Sequence, residues 1–377
     1  MRQLHTKLYS LHLVHESNTA LQQLFSDLLK LRSRISFIHM DRLKDAATLY
    51  FLQLFPQQTI FFRDKISGVQ LGAQLHVQLG VGQDLRYHIK THPAGRLMSN
   101  SSAPKVVEPR ELVVYKCLEH LGLGCETIFF HRSLEDVFIA TLDAGTGDGA
   151  SFVLFEKLVS RLAVDHISGE TVWGSLGSFL NHGLLHFEGI EEAIQHDAIS
   201  QQFLLQISTL DMVSRIFRLQ DLLDNAENFG FRFSTAESPS LRVLDFRVDK
   251  ESNYLVDKDK FDGFLEGNGL YNYDACHATL KFVLRDRPTS NRVKTALHAL
   301  TAGPLSNAHR CIEDAKWKVR SFLETSKFDV DKSKLQSILD KCDKYCDAVH
   351  QNFDFFTTQL IFWLKTHPCD ELGAAQY

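Results

Sequence analysis

No Cys-x-x-Cys pair occurs in this 377-residue chain. Its seven cysteines, Cys117, Cys125, Cys276, Cys311, Cys342, Cys346 and Cys369, are scattered and odd in number. That pattern excludes a disulfide framework and points to a reducing compartment. The first residues lack an uninterrupted apolar stretch, so a secretory signal is not expected. Long hydrophobic runs are missing as well. Segments 49–62 and 353–364 are the most apolar, and Gln, Pro, Asp or Thr breaks each of them. Both fall short of the roughly 20 apolar residues a membrane span requires, so a cytoplasmic protein is expected. Nor is there an excess of positive charge: the net charge is -5. This removes any global electrostatic reason to expect nucleic acid or an anionic membrane as partner. The local run Arg285-Asp286-Arg287 is short and mixed in sign, as a solvated surface would be. The 18 histidines include no His-Glu-x-x-His or comparable metal spacing, and no internal repeat is visible.

What is present reads as an ordinary globular chain. Hydrophobic residues make up 44% and charged residues 23%, enough for a substantial core shared by two lobes or modest domains. Residues 1–57 are expected to form a helical extension. Ser17 or Asn18 caps a helix bearing Leu21, Leu24, Phe25, Leu28, Leu29 and Leu31, and a second helix runs from Asp41 to Phe55, stopped by Pro56. An exposed apolar stripe is costly, so these helices should dock on the main domain.

The hydrophobic period then changes to two. Val69, Leu71, Ala73, Leu75, Val77 and Leu79 alternate with Gln, Gly and His, which predicts a half-buried antiparallel strand. Thr59–Arg63 before it and Leu85–Thr91 after it complete a meander, with turns at Ser67-Gly68 and Gly80–Asp84. Pro109 opens a helix over Arg110–Leu121, ended by Gly122 and Gly124, and strands follow at Glu126–His131 and Val137–Leu142. This β-rich lobe spans 58–149. Gly145, Gly147 and Gly149 form a connector into 150–377, which reads as mainly helical after a strand near Phe152–Leu158. It contains a helix over Asp197–Leu219, a strand-like Leu241–Phe246 and a last helix over Lys332–Lys365.

Several polar positions are candidates for chemistry. Lys90 lies near the end of the third strand, where a rigid backbone fixes an ammonium; the plainer alternative is a surface lysine on an edge strand. Glu111 opens the helix after Pro109, where the helix dipole alone favours an acid, and Glu119 is a competing carboxylate. Gly68 and Gly72 lie where backbone amides can reach an anion, although hairpin glycines need no such role. Asp221-Leu222-Leu223-Asp224-Asn225-Ala226-Glu227-Asn228-Phe229-Gly230-Phe231 is followed by Val243-Leu244-Asp245-Phe246. These two stretches carry clustered Asp and Asn side chains, which are candidates for chemistry. Turn-forming Asx residues are the plainer alternative. Cys342 and Cys346, one helical turn apart, fit a buried helix face better than half a metal site. Cys276 and His277, adjacent on a helix, point apart and make a poor nucleophile and base.

The elements come in the order strand, glycine turn, strand, strand with lysine, helix opening on glutamate, two strands, connector, helices, polar loop and strand ending in Asp-Phe. In that order, residues 59–248 resemble the protein-kinase-like superfamily, including its aminoglycoside-phosphotransferase branch. The resemblance implies an α+β, protein-kinase-like bilobal fold with a small antiparallel β lobe and a larger helical lobe, to which the N-terminal helical extension is added. It implies ATP and Mg²⁺ bound between the lobes, with Lys90 on the nucleotide phosphates, Glu111 pairing with Lys90, Gly68 and Gly72 covering phosphate, and Asn228 and Asp245 on the metal. In the family a catalytic Asp stands five residues before the metal-binding Asn. Here that position is Leu223, with Asp224 one residue nearer and Asp221 two further away. Asp224 is the candidate base. The resemblance implies, too, an unidentified hydroxyl acceptor, whether on a protein, a small molecule or a lipid headgroup. A pseudokinase serving as a binding or regulatory module for a protein partner, and an unrelated α+β interaction protein, are the alternatives.

Overall fold

The computed structural model of the chain describes residues 40–64, 72–80, 83–92, 107–133, 136–147, 150–155, 198–222, 227–234, 239–249, 254–267, 288–326 and 332–368. It divides into two compact units. The first comprises Met1–Glu108, Glu126–Thr146 and Phe322–Ile338, and the second Pro109–Cys125, Gly147–Ser321 and Leu339–Tyr377. The class is α+β, as expected: one unit is built on an antiparallel sheet and the other is mostly helical.

In the first unit, β1 (Thr59–Asp64), β2 (Gly72–Gly80), β3 (Gln83–His92), β4 (Thr127–Ser133) and β5 (Asp136–Leu142) form a five-stranded sheet in the order β1-β2-β3-β5-β4. Every pairing is antiparallel, and the three-strand meander expected from the alternating pattern is present. Helix α1 (residues 40–54) covers one face. Leu43, Ala46, Ala47 and Phe51 recur at helical spacing and pack against Ala73, Leu75, Val77, Tyr87 and Ile89. Each large side chain so buried contributes roughly 1.5–3 kcal/mol. The second predicted helix therefore docks on the sheet, as expected; the first, around Leu21–Leu31, lies outside the described residues.

The alternation along β2 is cleaner in sequence than in burial. His76, on the nominally polar face, is buried because the Phe61 ring stacks on it at 4.7 Å. That burial pushes its imidazole pKa down. Just after β5, the Asp143 carboxylate accepts from His88 Nε2 and from the Gly145 amide, both at 2.9 Å.

The second unit begins with α2 (Pro109–His120), which ends at Gly122 in the left-handed region, φ +70°. The Leu123 and Gly124 amides both close onto the Leu118 carbonyl, a glycine-dependent helix stop. Strand β6 (Ser151–Leu154) precedes α3 (Ala198–Ile216), and a short β7 (Leu219–Gln220) follows it. Strands β8 (Phe229–Phe233) and β9 (Ser240–Val243) join β6 in the order β6-β8-β9, while β10 (Arg247–Val248) pairs with β7. Helices α4 (Lys258–Leu265), α5 (Thr289–Thr301), α6 (Ala308–Thr325) and α7 (Lys332–Thr366) complete the chain.

Helix α3 is the centre of this unit. Leu204, Ile207, Leu210, Met212, Val213 and Ile216 are fully buried, and so are its polar Asp211 and Arg215. Those two satisfy each other at 2.9 Å one turn apart, as buried charges must.

Candidate functional site

Lys90 lies on β3, flanked by β2 and β5, with Gly72 directly opposite on one side and Ile139 on the other. The edge-strand alternative is thereby excluded. A central strand has both neighbours hydrogen-bonded, so the backbone under this lysine is rigid. Gly72, the first residue of β2, is buried and is the cross-strand partner of Lys90, so these two candidates are brought together. Gly68 lies outside the described residues.

Arg110 ties the start of α2 to residues 249–254. The buried guanidinium donates to the Asp249 carbonyl at 2.9 Å and to the Tyr254 hydroxyl at 2.6 Å, and it lies 4.8 Å over the Tyr254 ring. Asp249 in turn receives Arg218 at 2.8 Å. Glu111 follows Arg110 and is buried at 6% exposure. The competing Glu119 meets Lys116 at 2.6 Å on the same helix.

One turn beyond Glu111 on the same face stands Tyr115. Its hydroxyl donates to Asp245 Oδ1 at 3.2 Å, and its ring lies 4.5 Å from that of Phe246. The Asp-Phe pair is thus seated against α2. On its other side the Asn228 carbonyl accepts from the Leu244 amide at 2.7 Å and from the Asp245 amide at 3.3 Å. Asp245 Oδ1 also takes the Phe246 amide at 3.1 Å, which fixes the carboxylate rotamer. Asn228 and Asp245, distant in sequence, are therefore neighbours.

The Asn228 side chain is oriented too. Its Nδ2 donates to the Asp221 carbonyl. Asp221 sits at the end of β7 with φ +61°, in the left-handed region that Asx residues tolerate. Its exposed carboxylate lies 3.4 Å from Arg247, whose Nε donates to Gln220. The start of the polar loop is thus tied to the strand just after Asp245. Asp224 and Leu223 lie outside the described residues.

Sequence reasoning missed Tyr115, Arg110 and the Arg218–Asp249 pair. For Tyr115 a signal existed, since it stands four residues after Glu111 on a helix. For the Arg218–Asp249 pair none did, because it joins segments brought close only by β7–β10 pairing. Cys342 and Cys346 are fully buried on α7, as the helix-face reading required. The hydrogen bond with Cys342, together with burial, pushes the Cys346 thiol far up, away from nucleophilic use. Cys276 and His277 lie outside the described residues. Among the described residues no helix is long and apolar enough to cross a membrane.

No protein-family model matches the chain, and no curated protein matches it. Among solved structures, a Helicobacter pylori proinflammatory kinase, CtkA, is similar at 12% identity and a TM-score of 0.40. That similarity covers 81% of this chain and 97% of that one.

Proposed function

We propose that this chain is a kinase-like protein that binds ATP with Mg²⁺ and passes phosphate to a hydroxyl acceptor, with Asp224 as general base. The observation that carries the reading is the junction of Asn228, Asp245 and Tyr115. The Asn228 carbonyl accepts from the Asp245 amide, which makes the two residues backbone neighbours, and the Asp-Phe step is anchored on the helix that carries Glu111. Mg²⁺ is usually held by one or two carboxylates together with substrate phosphates and water, so this small oxygen-donor set suits it. When bound, the ion neutralises charge on the phosphate oxygens. In this reading Lys90 meets the phosphates, Glu111 orients Lys90, and the backbone at Gly72 and Gly68 passes close to the nucleotide.

Leu223 at the expected base position, and the Asp221 carboxylate beside Arg247, favour a second reading: a pseudokinase that binds nucleotide without transfer. Thermal unfolding with ATP and Mg²⁺, repeated on Asp245→Ala and Asp224→Asn, tests both. Ligand at about 100 times its Kd adds roughly 2.7 kcal/mol of stability. The phosphotransferase reading expects a shift in wild type, its loss in Asp245→Ala, and ATP turnover that Asp224→Asn abolishes. A shift without turnover selects the pseudokinase. No shift in wild type removes both and leaves an interaction protein.

A further inference from the structure

Helix α6 borders a polar cleft that the kinase-like reading does not use. Ile312, Ala315 and Val319 bury one side of the helix completely. On the other side Arg310, Asp314, Trp317 and Lys318 fall within an arc of about 100° around the axis. All four line a cleft of about 520 Å³, as do His120 and Leu121 at the end of α2 and Pro304 before α6. The cleft lies wholly within the second unit. Its size is that of a small-molecule site, about 300–1,000 Å³.

Trp317 is 69% exposed. A tryptophan's large apolar surface is normally withdrawn from water, so core packing does not account for one here. As a wall of a cleft, its indole offers a flat face for a second ring. Cations flank it. Lys318 Nζ lies 2.7 Å from His120 Nε2. An ammonium can only donate, so the imidazole is the acceptor. Burial and the Lys318 charge push the His120 pKa down, which keeps the ring neutral in that role. The bond occupies one of the three ammonium donors. Arg310 Nε stands 3.7 Å from Asp314 Oδ2, with both side chains more than half exposed, a pairing that water screens strongly. Two permanent cations therefore face one carboxylate across the cleft, in a chain whose net charge is -5.

We propose that this cleft binds a small aromatic anion, a planar ring bearing a phosphate or carboxylate group, with the ring on Trp317 and the anionic group met by Lys318 and Arg310. The indole supplies stacking. The cations supply charge-assisted hydrogen bonds, and the guanidinium fork suits either group. His120 acts through Lys318, as a positioning residue. Asp314 repels the anion and competes with it for Arg310, so it limits affinity. A ring without charge, or a charge without a ring, uses only half of the site.

The test is calorimetric titration of the full chain with 1-naphthyl phosphate in the presence of EDTA, which keeps divalent ions from bridging the phosphate to Asp245. One equivalent should bind. Trp317→Ala should weaken binding roughly 5-fold or more and Lys318→Gln roughly 10-fold or more, whereas Asp314→Asn should tighten it. All three side chains are exposed, so none of these changes opens a core cavity. Inorganic phosphate and 1-naphthol should each bind roughly 10-fold more weakly than the probe. Asp245→Ala should bind as the wild type does. A loss there would place the ligand at the nucleotide site and overturn the proposal while leaving the proposed function standing. No binding to the wild type overturns it, as does undiminished binding by Trp317→Ala and Lys318→Gln. Weaker binding by Asp314→Asn, the signature of a cationic ligand, does so too. Free phosphotyrosine should bind at least as tightly as a phosphotyrosine peptide; the reverse order would assign the ring to a protein partner and overturn the small-molecule ligand.

Discussion

A Cβ on Gly230 would lie 2.3 Å from the Val153 carbonyl oxygen and 2.9 Å from Leu154 Cα. Both are backbone atoms of β6, so neither can swing aside. Gly230→Ala should force β6 and β8 apart and lower stability by roughly 1–3 kcal/mol. An unchanged urea midpoint would contradict the close approach. Tyr115→Phe keeps the ring on Phe246 but deletes the donor to Asp245, at a cost of about 1 kcal/mol. If the kinase-like reading holds, it also weakens the stabilisation by ATP and Mg²⁺, because the carboxylate loses a positioning bond. At Asp143, burial opposes ionisation. Hydrogen bonds from His88 and Gly145, with the charge of Arg86, outweigh it and hold the carboxyl below its ordinary value. A pKa lowered by folding contributes stability above the unfolded pKa and loses it as pH falls through the folded one. Asp143→Asn should therefore be less stable than wild type at neutral pH and converge with it in acid, below about pH 4. A gap that stays constant across this range would show that the charge plays no part.

At the scale of elements, a buried carboxamide on α7 ties several segments of the second unit together. Asn352, 1% exposed, donates to the Ile216 and Tyr254 carbonyls and accepts the Val256 amide. The end of α3 and the approach to α4 are thus tied to one side chain. Asn352→Ala leaves three buried backbone groups without that partner and should cost roughly 3 kcal/mol or more, measured by chemical denaturation. A loss below about 1 kcal/mol would mean that water replaces it. The elements themselves were legible. Pro109 and Gly122 bracket α2 because a fixed φ suits a helix start and a positive φ suits its end. The last helix, expected over Lys332–Lys365, is found at Lys332–Thr366. His76 was read for the wrong environment. Its polarity follows the period-2 pattern, but its burial depends on Phe61, a neighbour supplied by strand pairing.

For the molecule as a whole, the net charge of -5 and pI near 6.4 predict passage through a heparin column at physiological ionic strength, since polyanion binding depends on counterion release by clustered cations. Retention would reveal a basic face that the formal charge conceals. The α+β class, the three-strand meander, the docking helix α1 and the buried cysteine face of α7 were all determined by the sequence alone. Each follows from hydrophobic period or from local φ preference, which a short stretch of chain carries within itself. Only the tertiary structure decided that Lys90 stands on a central strand opposite Gly72, that the Asn228 carbonyl takes the Asp245 amide while Tyr115 donates to the Asp245 carboxylate, and that His309 and His350 meet across two helices. These are pairings between segments distant in the chain. Their register is set by which strands and helices pack together, and no local pattern encodes that choice.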